Sequence, residues 1–507
     1  MEQYLLDFNW KVMAPELIIV SAAALLSLID LLFKEHASRK WIGILGFLAV
    51  IAAESWVIYH LDAPAYQILG DTYRVDALSM TFKAIILAGA ALVLLLSLSV
   101  HKRNLETSEG EFYYLFLTAT LGAMMMVSSA DFITLYVGLE LLSISSYILV
   151  GIRKKHLQSN EAAWKYLVLG GVSSAFILYG MSFVYGLTGS TNLFIVQQRL
   201  MEVYTQYDMF VILSLFLMMV GFGFKIATVP FQMWAPDVYQ GAMTPVTAFL
   251  AVVSKTAAFA FVIRIILIAY MVLINYQQWT EIVMPMLMII AAASMIVGNI
   301  VALKQTDIKR LMAYSSIAQA GYILVPLITL SNLLFSATVF YLIAYLLMTL
   351  GVFAIIQTVT SKMKTSELKA FAGLHQRSPW LAAGMTVLLI SLAGLPLTAG
   401  FIGKFYLITN TFLVGKFWLA GVMILTTVIS YYYYFGIIRQ MYFRSPVDGE
   451  KVAIPFTTAF VILVGVVGTI GLGVAPDWLL TELGSINWGS GFNLAENVNP
   501  ATLLEQK

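Results

Sequence analysis

Runs of about 20 apolar residues, each closed by a short polar stretch, follow one another along almost the whole chain. A helix of that length is what is needed to cross the hydrocarbon core of a bilayer. About fourteen such runs are expected by this pattern. They lie near 12–33, 41–59, 77–100, 112–129, 131–151, 163–187, 209–229, 243–270, 281–302, 311–329, 334–359, 381–413, 417–438 and 455–474. The 381–413 run is too long for one straight helix and contains Gly394 and Pro396, so it reads as one broken span. The pattern predicts an all-α polytopic membrane protein. The first run starts beyond an acidic rather than a basic segment, so no cleavable signal peptide is expected.

Against this background a few charges stand out. Lys225, Lys255, Lys404 and Glu140 fall deep inside apolar runs. A charge at mid-membrane costs roughly 2.5–3.5 kcal/mol on the insertion scale. Such residues persist where they line a polar path or pair with one another. Three lysines and a glutamate in one chain point to ion movement, most simply proton movement.

Each has a functional reading and a plainer one. Glu140 is followed by Ser143, Ser145 and Ser146, which can hydrogen-bond to it or to water; the plainer reading is a structural carboxylate paired across helices. Lys225 lies in GFGFKIATVPFQMW, where Gly221 and Gly223 permit close helix approach and Pro230 removes a backbone donor. A lysine desolvated beside such a break can gain and lose a proton at working pH; the plainer reading is a fixed counter-ion to Glu140. Lys255 sits near mid-helix between Ser254 and Thr256, and Lys404 follows the break at Pro396. For both, the alternative is a side chain that snorkels to the interface. Glu161 and Lys165 are four apart and suit a surface pair, with Lys165 kept as a further relay candidate. Lys83 reads as snorkelling, and Glu16, Asp30 and Glu54 carry no assigned role. Tyr431 to Tyr434 are expected as an interfacial aromatic belt, and Met124–Met126 as packing.

Loop charges give direction. Lys34, Arg39, Lys40, Lys102, Arg103, Arg153, Lys154, Lys155, Lys304, Lys309, Arg310, Lys362, Lys364, Lys369, Arg377, Arg439, Arg444 and Lys451 all fall on one side of the fourteen-run arrangement. Lys11, Arg74, Arg199, Lys416 and Lys507 fall on the other. The asymmetry marks the first side as cytoplasmic and puts both chain ends outward. It also exposes a repeat. Pro230 beside Lys225 and Pro396 near Lys404 interrupt two runs that lie five apart, so the two broken helices point in opposite directions. Paired broken helices of opposite direction are the signature of inverted repeats in transporters. The expected division is 1–110, a three-helix segment; 111–270 and 271–440, the two five-helix repeats; and 441–507, a last helix and tail.

Composition narrows the chemistry. Of 507 residues, 60% are hydrophobic and 11% charged, which no soluble domain of this size matches. There is no cysteine, so no iron–sulfur cluster, thiolate metal site or disulfide is expected on the chain. The histidines (His36, His60, His101, His156 and His375) sit at span ends or in loops, which argues against intramembrane haem. A net charge of +2 gives no reason to expect a nucleic-acid partner.

LELLSISSYIL around Glu140, EAAWKYLVLGGVSSAFILYGMSFVYGLTG (161–189), GFGFKIATVPFQMWAPDVYQGAMTPVTAFLAVVSK (221–255), GNIVALKQTDIKRLMAYSSIAQAGY (298–322) and LAGLPLTAGFIGKFYL (392–407) together resemble subunit N of bacterial proton-pumping NADH-quinone oxidoreductase (complex I), an antiporter-like membrane family. The similarity covers nearly the whole chain. The YQGAxTPVTAF block and the lysine of the twelfth span distinguish it from sister subunit M, which looks glutamate-like there; subunit L and the Na⁺/H⁺ antiporter subunits share the core. The resemblance implies a fourteen-helix antiporter-like fold with two inverted repeats. It implies that Glu140 pairs with Lys225, that Lys255 is the central relay, and that Lys404 ends the titrating chain. It places NAD, FMN, iron–sulfur clusters and quinone in partner subunits, with neighbouring membrane subunits, lipid and protons as partners and the bacterial plasma membrane as the location. Three positions depart from the family pattern: Met243 for a proline, Leu397 for the second proline of a PPT motif, and Gln319 where relatives carry histidine. If position 319 relays protons, Gln319 does so through water or a hydrogen bond. The alternative functions are a cation/proton antiporter subunit and a scaffold that does not pump.

Overall fold

The computed structural model describes residues 9–33, 38–100, 108–446 and 450–491. Lys34, His36, His101, Lys102, Arg103, Lys507 and both chain ends lie outside the described residues. The N-terminal segment holds α1 (Trp10–Asp30), α2 (Lys40–Tyr59) and α3 (Ala77–Ser97). Then come α4 (Glu109–Ser128), α5 (Phe132–Val150), α6 (Leu157–Thr188) and α7 (Leu193–Ile226). The short α8 (Trp234–Gly241) leads into α9 (Thr244–Ala269), α10 (Trp279–Ala302), α11 (Ile308–Thr329) and α12 (Leu334–Met363). The broken pair α13 (Pro379–Ala393) and α14 (Ala399–Leu413) follows. The chain closes with α15 (Phe417–Phe443) and α16 (Phe456–Val474), and a short surface helix, α17 (Asp477–Ser485). Thirteen helices among the described residues are long and apolar enough to cross a membrane. The remaining expected span is the pair α13 and α14, which is broken at Gly394–Thr398 as the sequence suggested.

Three details differ from expectation. α6 begins at Leu157 rather than near 163, so Glu161 and Lys165 lie on its first turns. α7 begins at Leu193 and changes direction at Tyr207, whose backbone is non-helical. The residues before Tyr207 are too polar to signal a span and read as a loop. Between α2 and α3 a small antiparallel hairpin, β1 (Tyr66–Ile68) and β2 (Tyr73–Val75), pairs Tyr66 with Val75 and Ile68 with Tyr73. Its turn uses left-handed backbone at Leu69, Gly70 and Asp71.

The inverted repeat is visible in individual hydrogen bonds. The Asp131 carboxylate accepts from the Ile133 and Thr134 amides and caps α5. The Asp307 carboxylate accepts from the Lys309 and Arg310 amides and caps α11. Both corners are closed by the strand of chain that follows the next long helix. Phe132 N donates to Thr191 O and Leu193 N to Ala130 O; Ile308 N donates to Ser366 O and Leu368 N to Thr306 O. The Thr191 and Ser366 hydroxyls donate to the same two capping carboxylates. Packing follows suit. A Cβ on Gly122 would lie 2.4 Å from Leu142 N and 2.8 Å from Gly138 O; one on Gly298 would lie 2.7 Å from Ala318 N and 2.8 Å from Tyr314 O. The offset that carries Asp131 onto Asp307 carries Gly122, Ala130, Phe132, Ile133, Thr134, Gly138 and Leu142 onto their counterparts, and one residue less carries Thr191 onto Ser366 and Leu193 onto Leu368. The Asp307 corner lies on the face of the basic loops and the Asp131 corner on the opposite face.

The N-terminal segment leans on this frame through α3. A Cβ on Gly89 would lie 2.9 Å from Val253 of α9 and 3.3 Å from Leu346 of α12. Glycine here lets α3 approach the helix that carries Lys255. At the other end of the chain α16 packs on α12, where a Cβ on Gly465 would lie 2.8 Å from Leu347 O.

Candidate proton-relay site

Lys225 occupies the last turn of α7. The helix stops one residue later because Ala227 adopts left-handed backbone, φ 59°. The amides of Ala227 and Thr228 turn back onto Phe224 O and Gly223 O, satisfying carbonyls a helix end would otherwise leave orphaned. Trp234 Nε1 donates to Phe224 O at 2.9 Å, and the Val229 amide reaches Ser294 of α10 at 2.9 Å. Pro230, which follows a cis bond, has no amide to satisfy, and α8 resumes four residues on. Lys225 is 6% exposed, and its ammonium donates to Ser143 on α5.

Glu140 stands one turn before Ser143 on the same helix. It is half-buried, and its Oε1 is buried with no hydrogen-bond partner. The expected Glu140–Lys225 ion pair is not among the described contacts. The two interact electrostatically, but the group that touches Lys225 is the Ser143 hydroxyl.

Lys255 resumes the regular helix of α9 immediately after a π-helical turn, Leu250–Ser254. It is 2% exposed, which removes the snorkelling alternative. Its ammonium donates to Ser316 O at 2.7 Å and Ser316 Oγ at 2.5 Å. Ser316 also accepts from the Tyr345 hydroxyl of α12 at 2.9 Å and lies 3.3 Å from the Tyr239 hydroxyl of α8. One serine thus joins four helices around the central lysine.

One turn further along α11, Gln319 Oε1 accepts from the Tyr341 hydroxyl. Gln319 Nε2 lies 3.5 Å from Leu392 O. That carbonyl also accepts from Lys404 at 3.0 Å, and Ala393 O does so at 3.1 Å. These are among the last carbonyls of α13, the electronegative end of a helix cut short at Gly394. Gly394 has φ +84°, and a Cβ there would lie 2.8 Å from Lys404 Cδ. The lysine stem therefore lies across the break in space only a glycine leaves free. Lys404 is 4% exposed and its ammonium sits 5.0 Å from the centre of the Tyr322 ring; it does not snorkel.

The other sequence candidates fall as follows. Lys165 bridges Glu161 and Asp237, each at 2.7 Å, at the basic face. Asp237 also meets Arg310 at 2.5 Å, so α8 is strapped to both repeats. Tyr433 and Tyr434 are buried, contrary to the belt expectation: Tyr433 donates to Asn299 and Tyr434 shares a 2.6 Å hydrogen bond with Ser315. Tyr432, 73% exposed, is the one that fits a belt. Met124 and Met126 are buried packing residues, as expected. A polar cavity of about 550 Å³ opens at the basic face, lined by Arg153, His156, Gln240, Asp307, Lys309 and Gln357 among others. Burial, helped by Arg153 and Lys309, pushes the His156 imidazole down, which favours its neutral form at pH 7.

Reading the sequence missed Ser316, Tyr239, Tyr341, Tyr345 and Asp237. A signal existed for the first: superposing the two capping aspartates sets Glu140 opposite Ser316 and Ser143 opposite Gln319.

Comparison with known proteins decides the family. Residues 129–430 match the family model described as NADH:quinone oxidoreductase/Mrp antiporter, transmembrane. NADH-quinone oxidoreductase subunit N of Brevibacillus brevis is 46% identical over 506 residues, covering 98% of each chain. The chain belongs to the NADH-quinone oxidoreductase subunit N family. A subunit of the respiratory complex I of Thermus thermophilus, solved with bound aureothin, superposes with a TM-score of 0.77 and 31% identity, covering 92% of this chain and 99% of that one. A chain of the Mrp complex of Dietzia sp. has a TM-score of 0.82 at 18% identity, over 98% of this chain and all of its own; that likeness is one of fold. The fold expected of subunit N is therefore the fold found.

Proposed function

We infer that the chain is the proton-translocating N subunit in the membrane arm of a bacterial respiratory NADH-quinone oxidoreductase. It lies in the plasma membrane beside other antiporter-like subunits, and the complex it serves is an oxidoreductase that moves protons. The observation that carries the reading is the row of three buried lysines, each placed where regular helix fails: Lys225 and Lys404 at broken ends, Lys255 after a π-helical turn. Redox cofactors sit in partner subunits; this chain holds neither flavin nor cluster, a reading its lack of cysteine supports. Glu140, Lys225, Lys255 and Lys404 carry the proton, with Ser143, Ser316 and Gln319 bridging them and Pro230 and Pro396 marking the breaks. Lys165 belongs to the basic-face strap rather than the relay. The two five-helix repeats take residues 111–270 and 271–440, with one of the mirrored corners in each.

Whether a buried amine holds its proton depends on the charges and dipoles of its partners. A redox-driven shift elsewhere in the complex can thus load and unload the row in turn. Solubilised membranes supply the test. The chain should co-purify with flavin- and cluster-bearing partners, and Lys255→Met should lower protons moved per electron in vesicles. Purification as a sodium/proton exchanger without redox partners, or undiminished pumping by Lys255→Met, overturns the reading.

A further inference from the structure

The relay leaves a second set of buried charges unused. At the face opposite the basic loops, Lys83 of α3 is fully buried and Glu16 of α1 is 2% exposed. Lys83 Nζ lies 2.7 Å from Glu16 Oε1 and donates to the Tyr73 hydroxyl of β2 at 2.7 Å. Lys83 therefore does not snorkel; its ammonium is turned inward beneath the hairpin. Neither Glu16 oxygen has a hydrogen bond of good geometry, and the Ser128 hydroxyl nearby is likewise buried without a partner.

A neighbouring buried pair provides contrast. Arg264 of α9 grips Asp76 through two 2.9 Å hydrogen bonds. Asp76 also accepts from the Ser79 amide at 2.8 Å, and Arg74 stands 3.6 Å away. That carboxylate is saturated, and an arginine does not release its proton. It is a structural lock between the N-terminal segment and α9. The Glu16–Lys83 pair has the opposite character: a lysine, a carboxylate with unused lone pairs, and a hydroxyl in contact with the lysine. In a low-dielectric setting a Lys–Glu pair can collapse to a neutral amine and a carboxylic acid, because separated charges are what burial penalises.

We propose that Glu16, Lys83 and Tyr73 form a proton-release centre at the outward end of α1–α3, separate from the lysine row. The proposal rests on the proton-translocating function inferred above. Lys83 lies about 9 Å along α3 from Gly89, the point where α3 touches Val253, two residues before Lys255. The resting state is the ammonium–carboxylate pair seen in the structure. The ammonium then passes a proton to a Glu16 oxygen: one N–H bond breaks and one O–H bond forms. Glu16 sits in the second turn of α1, about a turn and a half after the 40%-exposed Trp10. From there the carboxylic acid loses its proton to outward water, and the amine takes up a proton from the interior, forming an N–H bond and restoring the pair. Tyr73 holds Lys83 in place and offers a hydroxyl between the two.

The test uses the whole complex in proteoliposomes, with protons moved per electron as the readout and Lys255→Met as the reference for loss of this subunit's contribution. Lys83→Arg keeps the charge and the pair but cannot hand on a proton. It should assemble and fall to the Lys255→Met ratio. Tyr73→Phe keeps shape and charge and should lower the ratio in the same direction, which preserves the test where Lys83→Arg fails to assemble. Turnover should also produce a carboxyl infrared difference band that Glu16→Gln removes. An unchanged ratio in Lys83→Arg, or in Tyr73→Phe when that is the variant that assembles, overturns the proposal, as does a turnover spectrum without such a band. If Lys255→Met itself keeps the full ratio, the inferred function of the chain fails instead.

Discussion

The two repeats share a frame and differ in the chemistry set on it. In the first, Lys225 belongs to the last turn of α7, before the break, and faces Ser143 with Glu140 one turn away. In the second, Lys404 belongs to α14, after the break, and reaches back to the last carbonyls of α13. Counting from Pro230 and Pro396, the position that matches Lys225 is Ser391, a neutral residue whose hydroxyl accepts from the Gly400 amide. Both lysines stand beside a broken half-helix, but only the Lys404 ammonium is held by the carbonyls at its end; the Lys225 ammonium crosses to a hydroxyl on α5. The duplicated scaffold supplies the break, and the two lysines use it from opposite sides and with different partners. The acid differs too. Glu140 has Ser316 as its counterpart, so the second repeat has a hydroxyl where the first has a carboxylate. Symmetry thus describes the backbone; the direction of proton movement needs the asymmetry.

The comparison can be broken most severely at Lys225. Lys225→Ala should lower proton-coupled turnover on the order of a hundredfold, the scale of losing a positioned proton carrier, with the complex still assembled. Normal pumping would leave the first repeat without a relay. Next is Gly394→Ala. A Cβ would meet left-handed backbone and the Lys404 stem at 2.8 Å, costing roughly 1–2 kcal/mol in backbone strain alone and displacing the ammonium. Gly421→Ala, where a Cβ meets nothing within 4 Å, should leave assembly and pumping unchanged. Equal effects of the two would remove the special role of the break. The smallest effect separates two partners of one lysine. In double-mutant cycles on turnover, Ser143→Ala should couple to Lys225→Ala more strongly than Glu140→Gln does, within about 0.5–3 kcal/mol. Stronger coupling to Glu140 would restore the direct ion pair.

Much of this was legible in the chain. Spans are long apolar runs, and a bilayer leaves the backbone few choices, so their number and both breaks could be read directly. Buried lysines were legible because their cost in hydrocarbon makes them conspicuous. Their partners were not. Ser316, Tyr239, Tyr341 and Tyr345 are ordinary residues in apolar helices, and only the packing of α8, α9, α11 and α12 brings them to Lys255. The π-helical turn before Lys255 has no composition of its own. Lys83 shows the limit from the other side. A turn and a half into a span it suited a snorkelling side chain, and its inward turn depends on Glu16 and Tyr73, which come from two other elements. The tyrosines of α15 divide likewise: four in a row look alike in sequence, while helical rotation buries Tyr433 and Tyr434 and exposes Tyr432.

The central claim is that the buried lysines carry protons instead of supplying fixed charge, and Lys404 tests it most directly. Its contacts are carbonyl oxygens, which a guanidinium could also satisfy, so Lys404→Arg preserves charge and binding capacity while removing the ability to release a proton. The measurement is protons moved per electron by the assembled variant complex in sealed vesicles. The account predicts normal assembly with a clearly lowered ratio. A full ratio from the arginine variant would contradict it.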